Sequence, residues 1–182
     1  MVMLSVGVVL WSAAHLLKRL APNFRARLGT AGRLLVTIVI LAALVLMIQG
    51  YPSAQGPVWW GRQTPLVGVN NLLVYLGFYC IAGKAVGARV AGVIRHPQLT
   101  AVSLWAVAHL LVNGDAPSLA LFGGLLAWSV ALVAVINHQD GKPALPKPTP
   151  SLLREIVAVV ITLTLYGATA YVHGVLGYPV HG

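Results

Sequence analysis

A hydrophobic segment, LLVTIVILAALVLMIQG, occupies residues 34–50 and contains no charged side chain. The apolar core of a bilayer is about 30 Å thick, so a helix that crosses it needs about 20 mostly apolar residues. The segment does not alternate between apolar and polar residues, as a half-buried strand would. It therefore predicts a membrane-spanning helix.

Five further stretches of the chain have a similar composition, although one of them is shorter. They are residues 2–17, 66–83, 99–112, 119–136 and 156–172. Connections rich in charged residues, proline or glycine separate them. We therefore expect an all-α integral membrane protein, in which six transmembrane helices form a single domain over residues 1–182.

The composition of the whole chain indicates the same class of protein. Of its 182 residues, 58% are hydrophobic and 8% are charged, whereas soluble domains are about one quarter charged. A water-soluble core of this size cannot hide so much apolar surface, and the chain is too hydrophobic to be a disordered tail. Its single cysteine, Cys80, excludes a framework of internal disulfides.

The basic residues are distributed unevenly among the connections. All but one of the 12 lysines and arginines lie in residues 18–33, 84–97 and 137–155, and the exception is Arg62. Because cytoplasmic loops are enriched in basic residues, we expect these connections in the cytoplasm and both termini on the periplasmic side of a bacterial inner membrane. Topology then explains the net charge of +9, so the expected partner is the lipid bilayer and not nucleic acid. Four prolines in residues 141–150 favour an extended segment there.

Two histidines fall at the same depth on different predicted helices. His15 lies near the cytoplasmic end of the first helix, and His96 lies directly before Pro97 at the cytoplasmic start of the fourth. Two neutral imidazoles can occupy both axial positions of a haem iron, and Arg95 is at the right level to pair with a haem propionate. Alternatively, each histidine forms a hydrogen bond with a neighbouring helix.

The opposite side of the predicted bundle holds a second group of candidate residues. His109, Asp115 and His173 are all expected near the outer face, where a metal site is conceivable, but no fixed ligand spacing supports it. A hydrogen-bonded His109 and a turn-capping Asp115 are the simpler interpretations. His138 is expected in solvent. The chain contains no phosphate-binding loop, metalloprotease motif or nucleophile elbow.

Several motifs resemble the NnrU family. They are RHPQ at 95–98, LWAVAHLLVNGD at 104–115, LFGG at 121–124, Ala127-Trp128, and the His15 helix with the RARL sequence at 25–28. Together they cover nearly the whole chain. The resemblance implies a membrane protein associated with nitrite and nitric oxide metabolism in denitrifying bacteria.

The NnrU family is similar to 15-cis-zeta-carotene isomerase, a membrane enzyme that contains haem b. This similarity implies haem b here, with His15 and His96 as the iron ligands. Val93 stands where the isomerase has a cysteine implicated as an alternative ligand, which puts the isomerase reaction in doubt. The leading expectation is therefore a haem b protein of nitric oxide metabolism. The alternatives are a polyene cis–trans isomerase and a structural or assembly subunit of a membrane complex.

Overall fold

The computed structural model describes residues 1–141 and 151–180, which form a helical bundle. Its helices are α1 (Val2–Leu20), α2 (Pro22–Arg27), α3 (Gly29–Ser53), α4 (Thr64–Val86), α5 (Val90–Val93), α6 (Pro97–Val112), α7 (Ala116–Ser118), α8 (Gly124–Asp140) and α9 (Leu152–Val175). A π-helical turn, Leu119–Gly123, joins α7 to α8, and two short strands, β1 (Val58–Trp60) and β2 (Gly114–Asp115), pair antiparallel. Residues 142–150 of the segment predicted to be extended lie outside the described residues.

Five of the described helical segments are long and apolar enough to cross a membrane. They are α1, α3, α4, the continuous segment Ala116–Asp140, and α9. Each contains one of the apolar stretches predicted from the sequence. The remaining predicted span, 99–112, lies in α6, which has 16 residues and is therefore about 24 Å long. The structure thus has five helices of spanning length and a shorter apolar sixth.

The ends of α6 follow from its sequence. His96 is the N-cap residue, and Pro97 occupies the first turn, where a missing N–H group costs no hydrogen bond. At the other end, the backbone N–H and the side-chain amide of Asn113 both donate to the His109 carbonyl. The next residue is Gly114, and the Trp60 ring fills the space that a Cβ atom would need there. The Asn-Gly-Asp sequence therefore ends one helix and begins the next.

The bundle consists of two closely packed helix pairs and two further helices. α1 packs on α3, and α4 packs on α6. α8 contacts both α1 and α6 and so connects the pairs, while α9 packs on the outside of α4. The largest buried cluster lies where α8 meets α1 and α3, and it includes Leu4, Met47 and Trp128.

The described basic connections meet at one end of the bundle. Arg19 forms an ion pair with Asp140, Arg95 donates to the Gly141 carbonyl, and the Arg89 amide donates to Glu155. We call this the basic end. Arg62 lies at the opposite end, where its guanidinium donates to the Pro179 carbonyl. The grouping of connections that the charge pattern predicts is therefore present, whereas the side of the membrane that each end faces stays a prediction.

Candidate functional site

An apolar cavity of about 280 Å³ lies between the two helix pairs. Residues from α1, α3, α4, α6 and α8 surround it, and three tryptophans form much of the wall: Trp11, Trp105 and Trp128. Leu44 of α3 and Ile81 of α4 also border it, and both are more than 40% exposed on the outer surface of the bundle. The cavity is therefore lined by aromatic and aliphatic side chains and adjoins the surface expected to face lipid.

His15 lies in an aromatic group beside this cavity. Its ring centroid is 4.4 Å from that of Trp11, one turn earlier on α1, and 5.0 Å from that of Trp128 on α8. The His15 Nδ1–H group donates to the Trp11 carbonyl over 2.8 Å. Because Nδ1 carries the proton, Nε2 keeps its lone pair and can accept a proton, a hydrogen bond or a metal ion.

Two indole N–H groups next to His15 lack a hydrogen-bond acceptor within the described residues. They belong to Trp11 and Trp128, and both nitrogen atoms are buried. The two indole rings meet edge to face, with centroids 5.8 Å apart. A buried donor without an acceptor costs roughly 1–3 kcal/mol. Both indole N–H groups could therefore still donate a hydrogen bond, because no atom of the described residues accepts one.

His96 contacts a different part of α8. Its Nε2–H group donates to the Asn137 side-chain oxygen over 3.0 Å, so His96 does bond a neighbouring helix. Trp128 and Asn137 are nine residues apart, or about 13 Å along the axis of α8. Both candidate histidines therefore contact α8 in the basic half of the bundle, but at two different levels along the axis of α8. Arg95 holds the end of α8 through the Gly141 carbonyl.

A second aromatic group repeats the pattern of the first on α6. His109 follows Trp105 by four residues, and its Nδ1–H group donates to the Trp105 carbonyl over 2.9 Å. The His109 ring stacks on Phe122 of the π-helical turn, with centroids 4.5 Å apart. Since α1 and α6 run in opposite directions, His15 lies toward the basic end of the cavity and His109 toward the other end.

Asp115 has the capping role that the sequence favours. Its carboxylate accepts hydrogen bonds from the backbone N–H and the hydroxyl of Ser118. The Tyr51 hydroxyl lies 2.8 Å from the same serine oxygen and donates to it, since the serine proton is directed to Asp115. This network ties α3 to the start of the Ala116–Asp140 segment.

The metal site that was conceivable from His109, Asp115 and His173 does not form. Within residues 1–141 and 151–180, no group of three or more histidine, cysteine or acidic side chains is close enough to hold a metal ion. His173 donates instead to the Thr169 carbonyl of its own helix. Asp115 caps the turn through Ser118, as its simpler interpretation predicts, whereas His109 bonds a carbonyl of its own helix and not the neighbouring helix that its simpler interpretation implied.

The three acidic residues of the chain all have structural partners. Besides Asp115, Asp140 pairs with Arg19, and Glu155 accepts from the Tyr79 hydroxyl and the Arg89 amide. None of the three borders the apolar cavity.

Sequence reasoning missed the tryptophans that line the cavity. The signal was present, because WSAAH at 11–15 and WAVAH at 105–109 share a Trp-x-x-Ala-His pattern. Residues four apart on a helix are neighbours on its surface, so each motif predicts a contact between its own two rings. Val93, in contrast, is 71% exposed at the end of α5, away from the lining of the cavity.

The candidate ligands fit a haem iron in their chemistry. Nε2 of His15 has its lone pair available, and Nδ1 of His96 makes no hydrogen bond within the described residues. At about 280 Å³ the cavity is slightly smaller than the usual range of ligand pockets, about 300–1,000 Å³. The space between α1 and α6 is open, because α1 packs mainly on α3 and α6 packs mainly on α4.

Comparison with known proteins gives one match. Residues 3–180 match the family model described as NnrU protein. No curated protein and no solved structure matches the chain.

Proposed function

The chain belongs to the NnrU family, and we propose that it is a haem b-binding protein of the bacterial cytoplasmic membrane, linked to nitrite and nitric oxide metabolism. In this proposal the short helix α6 also spans the bilayer, giving six spans with both termini in the periplasm. His15 and His96 are the axial ligands, near the cytoplasmic face.

The positions of the two histidines around one cavity carry this proposal. His15 lies four residues beyond the cavity-lining Trp11 on α1, or about 6 Å along the helix. His96 lies five residues before the cavity-lining Ala101 on α6, or about 7.5 Å along it. Both are displaced toward the basic end, so two imidazoles lie beyond the same end of an apolar space, at two levels of α8.

Several side chains have defined roles in this arrangement. The Trp11 carbonyl fixes the proton of His15 on Nδ1 and orients the ring for an iron ligand. Asn137 orients His96 through its Nε2–H group, which leaves Nδ1 as the nitrogen that would bind an iron. Arg95 has five N–H donors and uses one on Gly141, so it can also bind a propionate. A bound haem b supplies one-electron redox chemistry and an affinity for nitric oxide.

An absorption spectrum of the purified protein tests the proposal. After expression with sufficient haem, the wild-type protein should show a Soret band and, when reduced with dithionite, the α and β bands of a six-coordinate b-type haem. His15→Ala and His96→Ala should each lose the six-coordinate spectrum and lower the haem content. His138→Ala is the matched control, because this exposed histidine lies on α8 at the same end and should leave the spectrum unchanged.

Two results would contradict the proposal. One is a colourless wild-type protein that does not take up added hemin. The other is a spectrum that survives both His15→Ala and His96→Ala but changes in His109→Ala, since this would move the iron to the second aromatic group.

A second candidate function is the cis–trans isomerisation of a polyene. The position of the cavity favours it, because Leu44 and Ile81 border the cavity and are also exposed on the lipid-facing side of α3 and α4. An apolar substrate dissolved in the bilayer could therefore reach the cavity without crossing water.

Incubation of the reduced protein with 9,15,9′-tri-cis-zeta-carotene tests this second candidate. Isomerisation should be blocked by Val74→Phe, which fills the cavity from α4. Leu72→Phe adds the same ring two residues away, on a side chain that is 57% exposed, and should leave the rate unchanged. An unchanged isomer composition with the haem-loaded wild-type protein would eliminate this reaction.

A further inference from the structure

The connection between α1 and α3 carries a concentrated positive charge. Residues 18–33 contain five lysines and arginines and no acidic residue. Within the described part of the chain, only Arg19 of these forms an ion pair, with Asp140. The side chains of Lys18, Arg27 and Arg33 are exposed, and we call these three residues the cationic patch.

Exposed apolar side chains accompany the cationic patch. Leu20 is 63% exposed and Phe24 is 55% exposed. α2, which contains Phe24, has no buried residue at all, so the fold does not use this ring for packing. Apolar side chains between exposed cations are typical of a segment that lies at a membrane surface, where rings contact acyl chains and cations reach phosphates.

The opposite end of the bundle has a different surface. Its strand β1 exposes Trp59, an aromatic residue suited to the membrane boundary. Its only described lysine or arginine is Arg62, and that guanidinium already donates to the Pro179 carbonyl. Exposed cations beside exposed apolar side chains therefore occur at the basic end, and the α1–α3 connection combines them with no acidic residue of its own.

We propose that the cationic patch, together with Leu20 and Phe24, binds the phosphate headgroup of an anionic phospholipid. The cations attract the phosphate, and the two apolar side chains contact the upper part of the acyl chains. A free phosphate ion has no acyl chains, so it would use only half of this surface. The site is separate from the cavity and does not depend on haem.

Native mass spectrometry in a neutral detergent tests the proposal with three lipids. The wild-type protein should retain cardiolipin and phosphatidylglycerol and should lose phosphatidylcholine. The triple variant Lys18→Gln, Arg27→Gln, Arg33→Gln should weaken the binding of cardiolipin roughly a hundredfold, because each basic residue near the surface contributes comparably to the attraction.

A second triple variant provides the matched control. Lys84→Gln, Arg89→Gln and Arg154→Gln change the charge by the same amount at the same end of the bundle, and all three side chains are exposed. This variant should weaken lipid binding less than about threefold if the site is local. An equal loss in both triple variants would overturn the proposal, because the total charge would then explain the binding.

Phe24→Ala separates a lipid from a free anion and keeps every charge that directs membrane insertion. It should weaken the binding of cardiolipin severalfold, because the acyl chains lose a contact. Millimolar inorganic phosphate should not displace the lipid from the wild-type protein. Full binding by Phe24→Ala, or displacement by inorganic phosphate, would show a simple anion site and overturn the assignment to lipid.

Discussion

The α1–α3 pair and the α4–α6 pair form two walls of one cavity, but their helices approach each other differently. A methyl group on Gly50 of α3 would lie 2.7 Å from the backbone nitrogen of Leu4 on α1. In the other pair, a methyl group on Gly77 of α4 would lie 3.2 Å from the Ala101 carbonyl oxygen of α6. The first pair is thus in close backbone contact, while in the second pair α6 would have to shift by a few tenths of an ångström to admit the methyl group.

The two walls also differ in the ring that completes each aromatic group. Trp11 and His15 pack on Trp128, whose buried N–H group has no acceptor within the described residues. Trp105 and His109 pack on Phe122, which has no polar atom. The same local motif therefore places an imidazole beside the cavity on each wall, and the two groups differ in the tertiary ring that each packs against, an indole in the first and a phenyl ring in the second.

Of the substitutions that compare the two walls, Gly50→Ala should destabilise the protein most. The new methyl group meets backbone atoms of Leu4, which cannot rotate away, so α1 and α3 must separate. We expect a loss of about 2–3 kcal/mol in the free energy of unfolding. Unfolding with sodium dodecyl sulfate in mixed micelles, followed by far-ultraviolet circular dichroism, measures it.

Gly68→Ala is the control for the helix propensity of alanine. It lies on α4, where a methyl group would meet nothing within 4 Å, so it should be neutral or stabilise the protein by up to about 1 kcal/mol. If Gly50→Ala unfolds at the same detergent fraction as Gly68→Ala, then α1 and α3 are not in backbone contact at Gly50.

The sequence predicts the helices of both walls because their signals are local. Residues 34–50 lie within α3, and Pro97 marks the start of α6 as expected. Contacts between distant residues could not be predicted in this way. Trp60 fills the space above Gly114 from a separate strand, and such a contact depends on how two loops meet after the helices have packed.

The candidate site was predictable to a similar extent. Counting residues from the helix ends predicts His15 and His96 at one depth, whereas their contacts with α8 lie at two levels about 13 Å apart. Their contacts with Trp128 and Asn137 depend on where α1 and α6 cross α8, and hydropathy contains no information on crossing points. The Trp-x-x-Ala-His repeat, in contrast, was readable from the sequence and indicates both aromatic groups.

Phe122→Trp tests whether the two aromatic groups are interchangeable. Phe122 is 4% exposed and touches the rings of Tyr51, Trp105 and His109. A larger ring overpacks this position, so we expect a loss of about 1–2 kcal/mol in the same unfolding measurement. If the variant is as stable as the wild type, the space around Phe122 can hold a larger ring, and the second aromatic group is not closely packed.

Trp128→Phe is the reverse exchange and should cost less. It removes ring volume from a buried position but also removes an N–H group that lacks an acceptor, and the two effects oppose each other. We expect a net loss below about 1 kcal/mol in the absence of haem. A loss larger than that of Phe122→Trp would mean that the Trp128 N–H group has a stabilising partner.

Gly77→Ala should be nearly neutral, in contrast to Gly50→Ala. The methyl group lies 3.2 Å from the Ala101 oxygen, so a small shift of α6 accommodates it. The gain in helix propensity, up to about 1 kcal/mol, offsets this strain. A loss equal to that of Gly50→Ala in the detergent titration would remove the difference between the two walls.

Asp140→Asn should have the smallest effect, although it removes the ion pair that joins α1 to the end of α8. The pair measures 2.7 Å between Arg19 Nη1 and Asp140 Oδ1, but both side chains are substantially exposed, and exposed pairs are screened by salt. Buried contacts hold the same two helices together, since Val8 closes on Gly124 and Trp11 packs against Trp128. The unfolding midpoint should therefore stay at the wild-type value, with any small decrease disappearing at high salt. A decrease that persists at high salt and approaches that of Gly50→Ala would mean that α1 is held at its charged end and not along its packed face.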